Sequence, residues 1–252
     1  MLPKNISLQG KVVMVAGDGF RAVGELSQYL AEAGADIIVT CEDKHILDKA
    51  VKNIEAAGRK ALPIVCSPLN PAQIKKAVSE AVAKMGKIDV LVNSFNREFA
   101  KPFMTVTDKE WREVIDYNLS SVYFFTAAAG NHMMQRKTGN IVSIISGLAE
   151  RGLSNCATYC ASQGGVVQFT RALALEWARQ NIRVNAIEVG WMGENKSGDA
   201  SKSVESLAHY IPLRRLGKPE DIGALLIYLA SDASSYVTGQ SYRVDGGVMA
   251  HG

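Results

Sequence analysis

VVMVA at Val12–Ala16 is apolar at every position, as a strand is when it is covered on both faces. Working outward from it, strand-like runs recur as IIVT at Ile37–Thr40, LPIVC at Leu62–Cys66, VLVN at Val90–Asn93, IVSII at Ile141–Ile145, VNAI at Val184–Ile187 and SYRV at Ser241–Val244. Between them the apolar period lengthens to that of helices, and several helices have readable starts. Asn70-Pro71 offers an N-cap followed by proline at the first helical position, Thr107-x-x-Glu110 is a capping box, and Pro219 opens another helix. Strands alternating with helices in this way make βα units, and hence a parallel, doubly wound α/β sheet. No linker or repeat breaks the series, so residues 1–252 are expected to form one domain.

The composition excludes several classes. The 252 residues carry 28 Lys+Arg against 25 Asp+Glu, a net charge of +3, with 47% apolar residues. The small, dispersed excess implies no nucleic-acid partner, because phosphate-binding proteins gather Lys and Arg on one face or in a run. No apolar stretch approaches the ~18 residues a membrane helix needs. The start MLPKNISLQG has no apolar signal core, and a cytoplasmic protein is expected. Cys41, Cys66, Cys156 and Cys160 form no C-x-x-C pair and are expected as reduced thiols, with no metal. The one-turn spacing of Cys156 and Cys160 leaves a metal or redox pair beside the reading of two small packed residues.

Two helices, from about Thr107 to Lys137 and from about Cys156 to Gln180, are unusually apolar, carrying VYFFTAAAG and GGVVQFTRALALEW. A helix apolar on more than one side needs a second partner, so an oligomer interface is expected there, the alternative being a deep cover over the sheet. The polar tract GENKSGDASKS, Gly193–Ser203, follows a strand's carboxyl end, where ligands bind open parallel sheets. A mobile lid around residues 191–212 is expected, against a bystander loop.

The chain as a whole resembles the short-chain dehydrogenases/reductases, single-domain Rossmann-like enzymes that move hydride between NAD(P) and an alcohol or ketone. The resemblance rests on IDVLVN at Ile88–Asn93, YNLSSVYF around Asn118, GNIVSIIS at Gly139–Ser146, YCAS at Tyr159–Ser162, IRVNAI at Ile182–Ile187 and the tract RRLGKPEDIGALLIYLASDASSYVTGQSYRVDGG at Arg214–Gly247. It implies that Tyr159 is the acid/base, Ser146 the hydroxyl that holds the substrate oxygen and Asn118 a relay residue. In the family a lysine four residues after the tyrosine lowers its pKa and grips the nicotinamide ribose. Here that position is Gln163, an amide with no charge to stabilise a tyrosinate.

Further departures fall on the cofactor side. The family's T-G-x-x-x-G-x-G loop appears as AGDGFRAV at Ala16–Val23, with Arg21 and Val23 at glycine positions. Bulk there fills the phosphate seat, although Arg21 could instead grip a phosphate. Ser67 replaces an adenine-pocket aspartate, NSFN at Asn93–Asn96 replaces N-N-A-G, and EVGWMGE at Glu188–Glu194 replaces the segment that meets the carboxamide. Glu42 and Asp43 suit a ribose 2′-hydroxyl, which favours NAD if any dinucleotide binds, or they cap the next helix. The cofactor contacts the resemblance implies are Gly17, Gly19, Arg21, Glu42, Ser67, Asn93 and Gly190, with weakened or absent NAD binding expected.

Three readings stay open. The first is a degenerate subunit of a hetero-oligomeric alcohol or hydroxyacyl-CoA dehydrogenase, assembled, as a tetramer, with a competent chain of the same family. The second is an active NAD-linked reductase or dehydrogenase acting on a ketone or alcohol. The third is a cofactor-free lyase on the same fold.

Overall fold

In a computed structural model, residues 6–193 and 207–250 are described, apart from the side chain of Arg21. Seven parallel strands form one sheet: β1 (Val12–Ala16), β2 (Asp36–Cys41), β3 (Ala61–Val65), β4 (Val90–Asn93), β5 (Gly139–Ser146), β6 (Ile182–Val189) and β7 (Ser241–Val244). Their order across the sheet is β3-β2-β1-β4-β5-β6-β7, so the winding reverses between β1 and β4, where Ala16 is in register with Asn93. This is the doubly wound α/β fold that the run of apolar strands implied.

Alternation within each strand builds two cores. Val12, Met14 and Ala16 point to one face with Ile38, Leu91, Ile141 and Ile145; Val13 and Val15 point to the other with Ile37, Val39, Val90, Val92, Val142 and Ile144. The first face is covered by α3 (Pro71–Met85), α5 (Ser121–Arg136) and α6 (Ala157–Trp177); α1 (Ser27–Glu32), α2 (Lys44–Ala56) and α7 (Pro219–Ala230) cover the second. The short α4 (Asp108–Ile115) precedes α5.

The expected helix starts are present. Asn70 Oδ1 accepts from the backbone N–H of Ala72 and Gln73 ahead of Pro71, and Thr107 and Glu110 close a reciprocal capping box. The helix expected from Thr107 to Lys137 is broken by a π turn at Asp116–Ser120, whose extra residue turns Asn118 inward against Arg97. A second π turn, Ala22–Leu26, leads into α1. Val23 is wholly buried there, and its bulk at a glycine position is accommodated by the wider turn. Of the expected lid around 191–212, positions 194–206 lie outside the described residues.

The two apolar helices do present apolar side chains on both sides. Val122, Phe125, Ala129 and Met133 of α5 face the sheet core, while Tyr123 stays exposed, packing on its neighbour Phe124 and edge-on to Phe169 of α6. Leu175 on α6 is 83% exposed.

At the start of α7, Asp221 accepts from the Lys218 backbone N–H (2.8 Å) and from both Arg215 terminal nitrogens (2.6 and 2.7 Å). The Arg215 guanidinium chiefly holds its carboxyl down to about 2. A depressed folded-state pKa stabilises the native protein above the unfolded value near 4, and this contribution is lost as pH falls toward 2. Asp221→Asn is therefore expected to lower Tm at pH 7 and to flatten the fall in Tm between about pH 4 and pH 2. A fall as steep as that of the native protein in calorimetric scans would contradict this.

Candidate active site

The carboxyl ends of β1, β4, β5 and β6 form one crest of the sheet, and the loops that leave them are tied together. Gly17 takes φ +85°, and a Cβ there would stand 2.5 Å from the Ser94 carbonyl oxygen and 2.6 Å from the Phe95 ring. Gly19 donates its N–H to the same carbonyl (2.8 Å), and the Ser94 hydroxyl returns a bond to the Gly19 carbonyl (2.5 Å). These glycines permit the turn after β1 to lie directly on the loop after β4. Phe95, 2% exposed, plugs the space beneath and stacks on Phe125 (5.4 Å between centroids) and edge-on to Tyr117 (6.2 Å).

Three of the cavities along the crest, lined by described residues, border the expected site. The smallest, about 220 Å³, is lined by Gly17, Asp18, Glu42, Asp43, Cys66 and Tyr117 among others. A middle one of about 580 Å³ is lined by Asp18, Gly19, Phe20, Glu25, Asn96, Glu98, Lys218 and Glu220. The third, about 570 Å³, holds Ser146, Arg151, Cys156 and Tyr159 against Phe99, Leu148, Leu153, Trp191, Met192 and Val248. Phe20, in the left-handed region at φ +52°, stands between the second and third.

α6 brings Tyr159 and Gln163 to the end of β5, one turn apart on one face. The Tyr159 hydroxyl donates to Asn96 Oδ1 (2.5 Å) and also meets the Ser146 hydroxyl. Burial pushes the phenol well above its ordinary 10, Glu98 adds to the rise, and the Ser146 hydrogen bond only partly opposes it. Gln163 is fully buried; its Oε1 accepts from the Ser146 backbone N–H (2.9 Å), while its Nε2 has no partner. Asn118 donates to Ser162 Oγ (2.9 Å) and the Arg97 carbonyl, and accepts from the Arg97 N–H (2.7 Å). Tyr159, Ser146, Gln163 and Asn118 are thus brought together, with Asn118 joined to the group through Ser162 beneath Tyr159.

The expected cofactor contacts are more scattered. Gly17 and Glu42 line the smallest cavity, Gly19 the middle one and Gly190 the third, where a Cβ would stand 2.7 Å from Asp245 Cα. Asp43 caps α2 through His45 N–H (2.7 Å) as well as facing the smallest cavity. Asn93 donates to Thr126 Oγ1 from a fully buried position, and its Oδ1 has no partner. Ser67 donates its N–H to Gln73 Oε1 (3.0 Å) and lines none of the three cavities. The side chain of Arg21 lies outside the described residues. Tyr117, beside the smallest cavity, is pushed up to about 12 by burial and by Asp18.

Asn96 and Arg151 carry no site signal in the sequence. NSFN at Asn93–Asn96 is legible as a departure, but only the fold aims Asn96 at a side chain sixty-three positions away. A lone arginine in the tract after Ser146 carries no signal at all. Cys156 lines the third cavity, and the Cys160 thiol lies on the Arg151 carbonyl (3.7 Å); among the described residues no group of metal ligands occurs.

The chain as a whole is similar to several known proteins. A family model described as enoyl-(acyl carrier protein) reductase matches residues 24–249. The chain is 35% identical over 244 residues to a 3-oxoacyl-[acyl-carrier-protein] reductase of Thermotoga maritima, covering 96% of this chain and 99% of that one. It is 35% identical over 257 residues to a 2-dehydro-3-deoxy-D-gluconate 5-dehydrogenase of Escherichia coli, with 99% and 100% covered. The crystal structure of a gluconate 5-dehydrogenase from Burkholderia cenocepacia in complex with NADP and tartrate superposes with a TM-score of 0.89 at 28% identity, over 98% of each chain.

Proposed function

The chain belongs to the short-chain dehydrogenase/reductase family of oxidoreductases, and on that premise we propose that its own dinucleotide seat is closed and that it serves as a subunit beside a competent dehydrogenase of the same fold. The bond from Tyr159 to Asn96 carries this reading. It engages the phenol with a side chain of the chain itself, at a place where the family pattern has a glycine.

Other observations point the same way. The Gln163 amide is enclosed and neutral, so it supplies no charge that would favour the ionised form of Tyr159. The middle cavity, where a pyrophosphate would cross, has Asp18 and Glu98 in its lining, and its Lys218 is paired with Glu220 (3.5 Å), so its described lining offers an anion no uncommitted cation. The residues present therefore do not fit a bound dinucleotide. The apolar surface of Tyr123, Phe124 and Phe169 supports an assembled state, because contiguous apolar patches on soluble domains are usually covered.

Calorimetric titration of the purified protein with NADH and NADPH is expected to give no dissociation constant tighter than ~100 μM, that is, less than about 5.5 kcal/mol of binding free energy. A low-micromolar constant for the chain alone would overturn the proposal.

One observation favours a second reading, an active NAD-linked reductase. Ser146 and Tyr159 remain adjacent at the wall of a cavity large enough for a small substrate. A phenol held protonated can give its proton to a carbonyl oxygen, whereas it is a poor acceptor near neutral pH. On this reading the chain reduces ketones far faster than it oxidises alcohols, and Glu42 selects NAD over NADP. Measurable NADH-dependent ketone reduction by the isolated chain would decide for it.

A further inference from the structure

The largely apolar cavity of about 570 Å³ has one cationic side chain among the described residues of its lining, Arg151, and that guanidinium is only partly engaged. Its Nη2 donates to the Tyr210 hydroxyl and its Cζ lies 5.3 Å from the Tyr210 ring centroid, but its Nη1 is shielded from solvent and has no hydrogen-bond partner. A desolvated guanidinium nitrogen without an acceptor is costly unless something supplies one.

The neighbouring carboxylates are committed elsewhere. Glu150, next in sequence, pairs with Arg171 (2.9 Å) and Arg243. Both oxygens of Asp245 accept backbone N–H groups, from Gly247 and Met249 (2.8 Å each). Glu98 also lines the cavity, but as an exposed residue with no ion pair to Arg151 among the described residues. Arg151 is also held in place: Tyr210 packs edge-on to Trp191 (5.4 Å), and the Arg151 carbonyl takes the Cys160 thiol.

We propose that this cavity binds an apolar carboxylic acid as its carboxylate, with the anion at Arg151 and the hydrocarbon body against Leu148, Leu153, Trp191, Met192 and Val248. Charge-assisted bonds from arginine to carboxylate are strong and directional, and the apolar walls raise their strength further. The site needs no dinucleotide, so the inference stands whether or not the seat beside it is closed.

The test is calorimetry on the purified protein with 3-phenylpropionate and its uncharged amide, 3-phenylpropanamide, at pH 7. The acid is expected to bind at least tenfold tighter than the amide, the discrimination that one charge-assisted bond confers. In Arg151→Gln the preference is expected to fall below about twofold, and Arg151→Lys, which keeps the charge but not the fork, should retain part of it. Absence of binding by both probes, equal affinities, or a preference that persists in Arg151→Gln would each overturn the proposal. Should Arg151→Gln not fold, the acid-to-amide ratio of the unaltered protein at low and high salt decides, a salt-independent ratio being the overturning result.

Discussion

Phe95→Ala is expected to cost about 3–5 kcal/mol of unfolding free energy, the usual loss for an aromatic ring removed from a core that cannot collapse around the gap. The ring is 2% exposed, packs on Phe125 and Tyr117 from the first face of the sheet, and lies beneath the turn at Gly17. Its removal takes away apolar contact and two ring pairs while leaving Gly17 and Ser94 around a void. Urea denaturation at neutral pH measures the effect, and a loss under about 1 kcal/mol would show that Phe95 is a peripheral packing residue. The result also bears on function. The family keeps alanine at this place, so a large loss means that this chain uses the room beside its first glycine for stability.

The second large effect concerns Tyr159. Introducing a cation by Gln163→Lys, together with Asn96→Gly to release the phenol, is expected to lower the Tyr159 pKa by at least about two units, because an opposite charge a turn away favours the phenolate. Each unit corresponds to about 1.4 kcal/mol, so the shift amounts to roughly a hundredfold or more in the ionised fraction. Titration of phenolate absorbance, with the matching Tyr159→Phe protein subtracted, isolates this group from the other tyrosines. A phenol that already ionises near pH 10 in the unaltered protein would show that burial and Glu98 do not govern the site. Gln163→Lys alone is expected to stay inactive toward alcohols, since Asn96 and the acidic middle cavity are untouched.

Much of the fold was legible because it depends on local pattern. β1, β4 and β7 have the bounds their apolar runs suggested, and β5 and β6 extend theirs by one or two residues at each end, into positions such as Ser146 that pair in the sheet without being apolar. The capping box at Thr107 and the Asn70-Pro71 start were readable because a cap is satisfied within four residues. The π turns were not, because a one-residue insertion in a helix leaves the apolar spacing nearly unchanged while redirecting the side chains beyond it.

The candidate site divides in the same way. Substitutions at family positions, Gln163 for lysine and Val23 for glycine, were visible as residue types, and their chemistry was predictable in kind. Their consequences were not. Val23 faces the core within a widened turn rather than the phosphate seat, and Gln163 holds the Ser146 backbone.

What the sequence determined by itself is the class of the protein: apolar strands alternating with helices can bury themselves only as a parallel sheet covered on both faces, and the ordered motifs place that sheet in one family. The tertiary structure decided which side chains meet at the site. Asn96 meets Tyr159 and Arg151 meets Tyr210 because β4, β5 and the segment after β6 end at one crest, across sequence separations of 63 and 59 residues. Such contacts depend on directions set by the packed sheet, and no local pattern of residues encodes them.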